Sequence, residues 1–452
     1  MLIIFSAVCY WIFAYDLQRT EYLKLVSLYA ALFGFFYILV QKLKSNPKLL
    51  TWLAFSFRAV FLLSIPNLSQ DFYRFIWDGR IILEGFNPYI QTVESFMSGG
   101  AYPVSQAENL YQGMGALNAS HYSNYPPLNQ LCFLIAAMLA NKSILGSVFV
   151  LRIILIAADF GTLYFGKKLL TLLGKPDYLI FWYILNPFII IELTGNLHFE
   201  GLMIFFLMWS LYLLHIGKWR LAAIPLAASV SVKLIPLLFL PLFFQWFTAS
   251  NDNDKRRSFS FLGIKNLLTF YIIIGIIILG LFTPFYSATF IENYTQTIGL
   301  WFQKFEFNAS LYYIARAIGY GFRGYNEIAT IGKWIAIIVF LVVAVLAIFR
   351  KNKNILQLIT TMLLALSFYY FTATTVHPWY IATLLILSVF TGFKFPLVWS
   401  GVIILSYLAY LHVDTSDKSE NLIVITLEYS IVYGVFLWEL FIKKHQTTNF
   451  LS

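Results

Sequence analysis

The sequence predicts an all-α, polytopic transmembrane protein of about 13 to 14 spans, and three observations carry that reading. Of 452 residues, 60% are hydrophobic and only 12% charged, too little polar material to cover a soluble globule of this size. Mean hydropathy is +0.74. Aromatic residues make up 19%, with 45 Phe, 29 Tyr and 12 Trp, which suits lipid-facing surfaces and interfacial belts. The formal net charge of +10 is read as membrane orientation and not as nucleic-acid binding, because the basic residues fall mostly in short loops between apolar runs.

A run of roughly 17 to 25 residues crosses about 30 Å of hydrocarbon. Runs of that length, or close to it, lie at 2–15, 22–41, 48–66, 144–166, 178–195, 200–216, 219–233, 236–248, 265–284, 329–349, 355–372, 378–393, 396–412 and 421–441. The first has no basic region before it and no small-residue cleavage site after it, so it is expected as a retained span. After Pro126-Pro127, the run to 141 is expected as a short helix dipping in from one face. Lys233-Leu234-Ile235-Pro236 is expected as a turn between two spans. The chain then forms one integral membrane domain over 1–452, with 67–142 an outer loop holding amphipathic and dipping helices. Cys9 and Cys132 both sit in apolar segments, which offers no disulfide framework and no Cys-rich metal site.

Basic residues arbitrate the topology. Of the 31 Lys and Arg, this arrangement puts 18 on one side: Lys42, Lys44, Lys48, Lys167, Lys168, Lys175, Lys218, Arg220, Lys255, Arg256, Arg257, Lys265, Arg350, Lys351, Lys353, Lys394, Lys443 and Lys444. That side is expected to be cytoplasmic. The opposite, outer side collects the loop 67–125, the link Thr194–Glu200, the turn at Lys233, the stretch 285–328 and Val376-His377-Pro378-Trp379. Nearly every unusual polar residue falls there.

Within the outer loop, Asp71, Arg74 and Asp78 stand at i, i+3 and i+7 of a helical pattern, with Phe72, Tyr73, Ile76 and Trp77 on the other side. The pattern reads either as a helix lying on the membrane with chemically active carboxylates or as a solvated helix that anchors the loop at the interface. Charges within spans cost about 2.5–3.5 kcal/mol each, so Arg58, Arg152, Asp159, Glu192 and Lys233 need partners or a cavity. Arg58 and Asp159, near mid-depth of neighbouring spans, are expected to pair. Lys233 is either a functional ammonium or a snorkelling one. His198 with Glu200, and His377 before Pro378-Trp379-Tyr380, add titratable groups and a ring surface for a sugar. No spacing supports a metal site.

Several of these stretches, in order, resemble a known family. Asp71-x-Tyr73-Arg74-x-x-Trp77-Asp78-Gly79, Gly85-x-Asn87-Pro88-Tyr89, Tyr125-Pro126-Pro127-Leu128, Asn186-Pro187, Gly195-Asn196-x-His198-x-Glu200, Ser231-Val232-Lys233-Leu234-Ile235-Pro236 and His377-Pro378-Trp379-Tyr380 are similar to the glycosyltransferase-C superfamily. The likeness is nearest to its bacterial and archaeal mannosyltransferase-like members that use polyprenyl-phosphate sugars, and it runs from about residue 60 to 390. It implies a lipid-phosphate sugar donor, an acceptor approaching from the outer face and an acidic base early in the first large loop. That base is Asp71 when matched by position. No Asp-x-Asp or Asp-Asp pair follows it, which counts against a metal-dependent variant, and no cofactor is expected.

Transfer from a glycosyl phosphate needs a base for the acceptor hydroxyl and positive groups for the departing phosphate. On that footing Asp71 is the base, and Arg74 its orienting partner or a phosphate contact. Lys233, Arg152 and His377 stabilise the phosphate, while Asp78, Asn87, His198 and Trp379 contact sugar. The expected function is thus an inverting hexosyltransferase that moves mannose from a polyprenyl-phosphate sugar to a glycan or glycolipid acceptor. Its site faces outward from a bacterial inner membrane. The rival is a transporter or flippase of lipid-linked saccharides, which often shows repeated halves and paired broken helices; neither is visible in the sequence.

Overall fold

In the computed structural model, residues 1–140, 142–249, 261–410 and 420–442 are described. Among the described residues, each of the fourteen predicted runs is helical over most of its length. The chain opens with α1 (Leu2–Tyr15), α2 (Tyr22–Leu43) and α3 (Pro47–Val60), the last started by Asn46, whose side chain accepts from Leu49 N. Four helices fill the first large loop: α4 (Asp71–Leu83), α5 (Val93–Ser98), α6 (Ala107–Ala119) and α7 (Pro127–Ala140). Then come α8 (Ile144–Leu172) and a pair bent by 51°, α9 (Asp177–Ile184) and α10 (Pro187–Gly195). α11 (Glu200–His215), α12 (Trp219–Val232), α13 (Ile235–Thr248) and α14 (Phe261–Phe285) follow. Beyond them lie α15 (Ala288–Gln303), α16 (Leu311–Arg323), α17 (Ile328–Phe349) and α18 (Ile355–Thr372). The last helices are α19 (Pro378–Val389), α20 (Phe395–Leu408) and α21 (Leu422–Ile442).

Six helices, α2, α8, α14, α17, α18 and α21, are long and apolar enough to cross a membrane alone, and the bent pair makes a seventh candidate. Most other predicted spans stop after 12 to 16 residues, roughly 18–24 Å at 1.5 Å per residue. Polar connections at their ends make up the depth. Lys233, with extended backbone at φ −147° and ψ 141°, separates α12 from α13, so 219–248 is two helices.

Hydrogen bonds and an ion pair at the helix ends reveal the alternation. On one face Asn67 Nδ2 donates to Phe13 O (2.7 Å), Lys233 Nζ lies 3.1 Å from Glu200, Asn87 Nδ2 donates to Phe285 O (2.9 Å) and Phe307 N donates to Thr374 O (3.0 Å). On the opposite face Lys175 Nζ donates to Phe390 O (2.8 Å) and Gln245 Nε2 to Ile348 O (2.6 Å). That second face carries the described members of the basic set; Lys255, Arg256, Arg257, Lys443 and Lys444 lie outside the described residues. Helix α7 starts beside Val232, whose carbonyl accepts from Asn129 (2.8 Å), and ends beside Ser147, which donates to Ala140 O (3.2 Å). Both of its ends therefore stay on the first face.

The interior rests on α8, α11 and α12, against which α4 and α7 pack. Glycine decides one contact: a Cβ on Gly79 would stand 2.1 Å from the Phe133 carbonyl oxygen, so α4 and α7 touch backbone to backbone. Deeper in, Arg58 Nε donates to Asp159 Oδ2 at 2.7 Å, with both side chains essentially unexposed. Its Nη1 reaches Ile184 O at 2.7 Å. The expected pair is present, and it ties α3, α8 and α9 together.

In a cysteine-free background, Thr171→Cys and Ser98→Cys, both at exposed positions, should react with a membrane-impermeant maleimide from opposite sides of sealed vesicles. Labelling of both from one side would break this alternation.

Candidate active site

The chain enters the site through Asn67-Leu68-Ser69-Gln70. Leu68 N donates to Asn196 Oδ1 (3.2 Å) and Asp71 N to Ser69 Oγ (3.3 Å), which sets Asp71 at the first turn of α4. The rest of α4 is not an interfacial helix. Phe72, Phe75, Ile76 and Trp77 are buried, and so are Arg74, Asp78 and Arg80 on the polar side. Internal neutralisation permits this burial. Arg74 Nε donates to Asp78 Oδ1 at 2.7 Å, while its Nη1 serves the carbonyls of Asn118 (3.0 Å) and His121 (2.9 Å). The second Asp78 oxygen accepts from Ser123 (2.5 Å) and Gln130 (3.1 Å).

Asp71 is the exception on this helix. It is half-buried, and its carboxylate accepts no hydrogen bond and makes no ion pair among the described residues. Burial pushes its carboxyl above the usual aspartate range, and the nearby Glu200 carboxylate pushes the same way. The Lys233 ammonium and the Arg19 guanidinium pull against them. Lys233, one quarter exposed, lies 3.1 Å from Glu200 Oε1 and 5.6 Å from the Tyr125 ring centre.

Opposite stands a column of rings. The wall begins where α10 ends in a π-helical turn over Ile190–Gly195 and Leu197 takes a left-handed φ of 62°, a strained arrangement that turns His198 inward. The His198 ring stacks on Trp379 at 3.6 Å, His377 stacks on Trp379 at 4.6 Å, and Phe307 stacks on His377 at 5.1 Å. Burial and Lys233 hold both imidazoles neutral: His198 titrates well below the usual histidine range, and His377 is pushed down to about 3, Arg19 adding to the effect there.

The structure thus gathers Asp71, Lys233, His198, His377 and Trp379, and it takes four expected residues away from the cleft. Arg74 is not the partner of Asp71, because Asp78 holds it one turn on. Asp78 is itself saturated and buried, so it is no sugar contact. Asn87 spends its amide on Phe285 O (2.9 Å) and Tyr89 N (3.1 Å). Arg152 is fully buried and donates to the carbonyls of Thr194 (2.9 Å), Leu62 (3.1 Å), Ser64 (2.8 Å) and Gly195 (2.9 Å), which takes four of its five N–H donors. Two more roles change in kind. His377 is uncharged and brings no positive charge to a leaving group, and Trp379, sandwiched between two imidazoles, has no free face for a sugar.

Two residues of the cleft were not singled out from the sequence as site residues. Arg19, in the α1–α2 link, acts on both Asp71 and His377; nothing in the sequence set it apart from the other basic residues of that face. Glu200 was visible only as a companion of His198. Among the described residues no group of three His, Cys, Asp or Glu side chains is placed to hold a metal ion.

Residues 11–250 match the family described as alpha-(1->6)-mannopyranosyltransferase, N-terminal domain. The chain belongs to this family. The matched segment holds Arg19, Asp71, His198, Glu200 and Lys233, whereas Phe307, His377 and Trp379 lie beyond it. Alpha-(1->6)-mannopyranosyltransferase A of Mycobacterium tuberculosis (strain ATCC 25618 / H37Rv) is similar at 22% identity over 199 residues, 44% of this chain. The match spans only 36% of that relative's length.

For Arg152→Met, four carbonyls lose their donor, and the purified protein should lose about 3 kcal/mol of stability, read as a lower thermal midpoint in detergent. An unchanged midpoint together with weakened donor binding would return Arg152 to the phosphate site.

Proposed function

We propose that this chain is a membrane mannosyltransferase that moves mannose from a polyprenyl-phosphate sugar to a glycan or glycolipid acceptor. The observation that carries this reading is Asp71, a carboxylate with no hydrogen bond or ion pair among the described residues, raised in pKa and under the influence of Lys233 and Arg19. Membership of the mannopyranosyltransferase family supports the reaction class and the sugar. The basic face is taken as cytoplasmic, so the site works on the outer side of the membrane.

In the reaction, the acceptor hydroxyl oxygen attacks the anomeric carbon as its proton passes to Asp71, and the bond from that carbon to the phosphate oxygen breaks with both electrons going to the phosphate. One displacement inverts the anomeric centre. A raised carboxyl pKa makes Asp71 a stronger base than an ordinary aspartate. Lys233 is the cation best situated for the departing phosphate, and Arg19 adds to the positive field. The neutral imidazoles stiffen the wall and leave the charge balance to these groups. A flippase is less well supported: the deep charges Arg58, Asp159 and Arg152 are all bonded within the protein.

Asp71→Asn should leave the protein inserted and lower mannose transfer in isolated membranes by about 10²–10⁴-fold; transfer at the wild-type rate removes Asp71 from the mechanism. Lys233→Met tests the electrostatics. Because the ammonium stabilises the Asp71 carboxylate, its loss raises that pKa further, and the acid limb of kcat/KM should move to higher pH. A limb that stays in place or moves down contradicts the coupling.

A further inference from the structure

Glu200 opens α11 and is 4% exposed. One of its oxygens meets Lys233 at 3.1 Å; the other, Oε2, is shut off from water and has no hydrogen-bond donor among the described residues. A buried carboxylate oxygen left bare is costly, and such a group calls for an explanation, a bound ligand being one. Lys233 accounts for only one of the two oxygens, since the ammonium meets Oε1 and leaves Oε2 bare. The acceptor that Glu200 presents is of the kind that binds a sugar hydroxyl best, a charged oxygen taking a short O–H bond.

We propose that Glu200 reads the hexose: its free oxygen takes one hydroxyl of the sugar being transferred, while its other oxygen keeps Lys233 in place for the phosphate. The assignment rests on the transferase reading above. It separates two duties among three charged groups. Asp71 serves the acceptor, Lys233 serves the phosphate, and Glu200 selects the donor sugar. Glu200 follows closely on the left-handed turn at Leu197, at the first position of α11.

The test uses the full chain in membranes with polyprenyl-phosphate mannose and the four monodeoxy analogues of its sugar. Wild type should reject one analogue by about 10-fold or more in kcat/KM, and Glu200→Gln should compress that single ratio while leaving the other three unchanged. Equal loss with every donor would mean that Glu200 acts only through Lys233, and unaltered ratios would mean that an ordered water supplies the missing donor; either result overturns the proposal. If wild type turns over none of these donors, the transferase reading fails. Equilibrium binding of the same series then decides separately, with equal affinities for wild type and Glu200→Gln counting against Glu200. Thermal midpoints in detergent, and the more conservative Glu200→Asp, exclude misfolding as the source of any change.

Discussion

The guanidinium of Arg152 is the hinge pin of this molecule. Its bonds to the carbonyls of Leu62, Ser64, Thr194 and Gly195 join the chain just after α3 to the chain at the end of α10. Both places are where helices have stopped and backbone acceptors are left over, and the surroundings are too apolar for water to serve them. From Ser64 the chain runs directly to Asp71, and from Gly195 directly to His198 and Glu200. The two segments that carry Asp71 and His198 with Glu200 are therefore tied together by one side chain.

Charge in the cleft is arranged by subtraction. Arg74 and Asp78 cancel each other and allow α4 to be swallowed whole, and Arg58 with Asp159 does the same at mid-depth. What remains unpaired by proximity is Asp71, with Lys233 and Glu200 in contact and Arg19 close by. Because the histidines are held neutral, they themselves gain no charge in the folded site as pH passes through the ordinary histidine range. The unfolded chain takes up those protons near pH 6.5 and the folded chain does not, so these residues favour folding less as pH falls below that value.

The helices and their alternation were legible in the sequence because hydropathy, loop charge and proline positions all act locally. The Arg58–Asp159 pair and the break at Lys233 were legible for the same reason: a charge or a Lys-x-x-Pro in an apolar run demands an explanation on the spot. The side chains of the cleft were harder. Arg74 is spaced to meet either Asp71 or Asp78, and helical periodicity alone does not choose between them; burial does. Arg152 is indistinguishable in sequence from a phosphate-binding arginine, since the carbonyls that claim it come from 42 and 90 residues away. The likeness to a sugar-binding tryptophan at Trp379 failed on a fact of packing, namely that His198 arrives from another part of the chain to cover its face.

The column His198, Trp379, His377 and Phe307 is assembled from three distant stretches of chain, and only the first belongs to the segment that matches the family. Residues 11–250 hold the charged groups but only one tile of the wall that confronts them. Expressed as a separate piece, that segment would present its histidine to lipid or water in place of an indole. The two portions of the chain are in this respect like halves of a mould: the column of rings exists only when both are folded together.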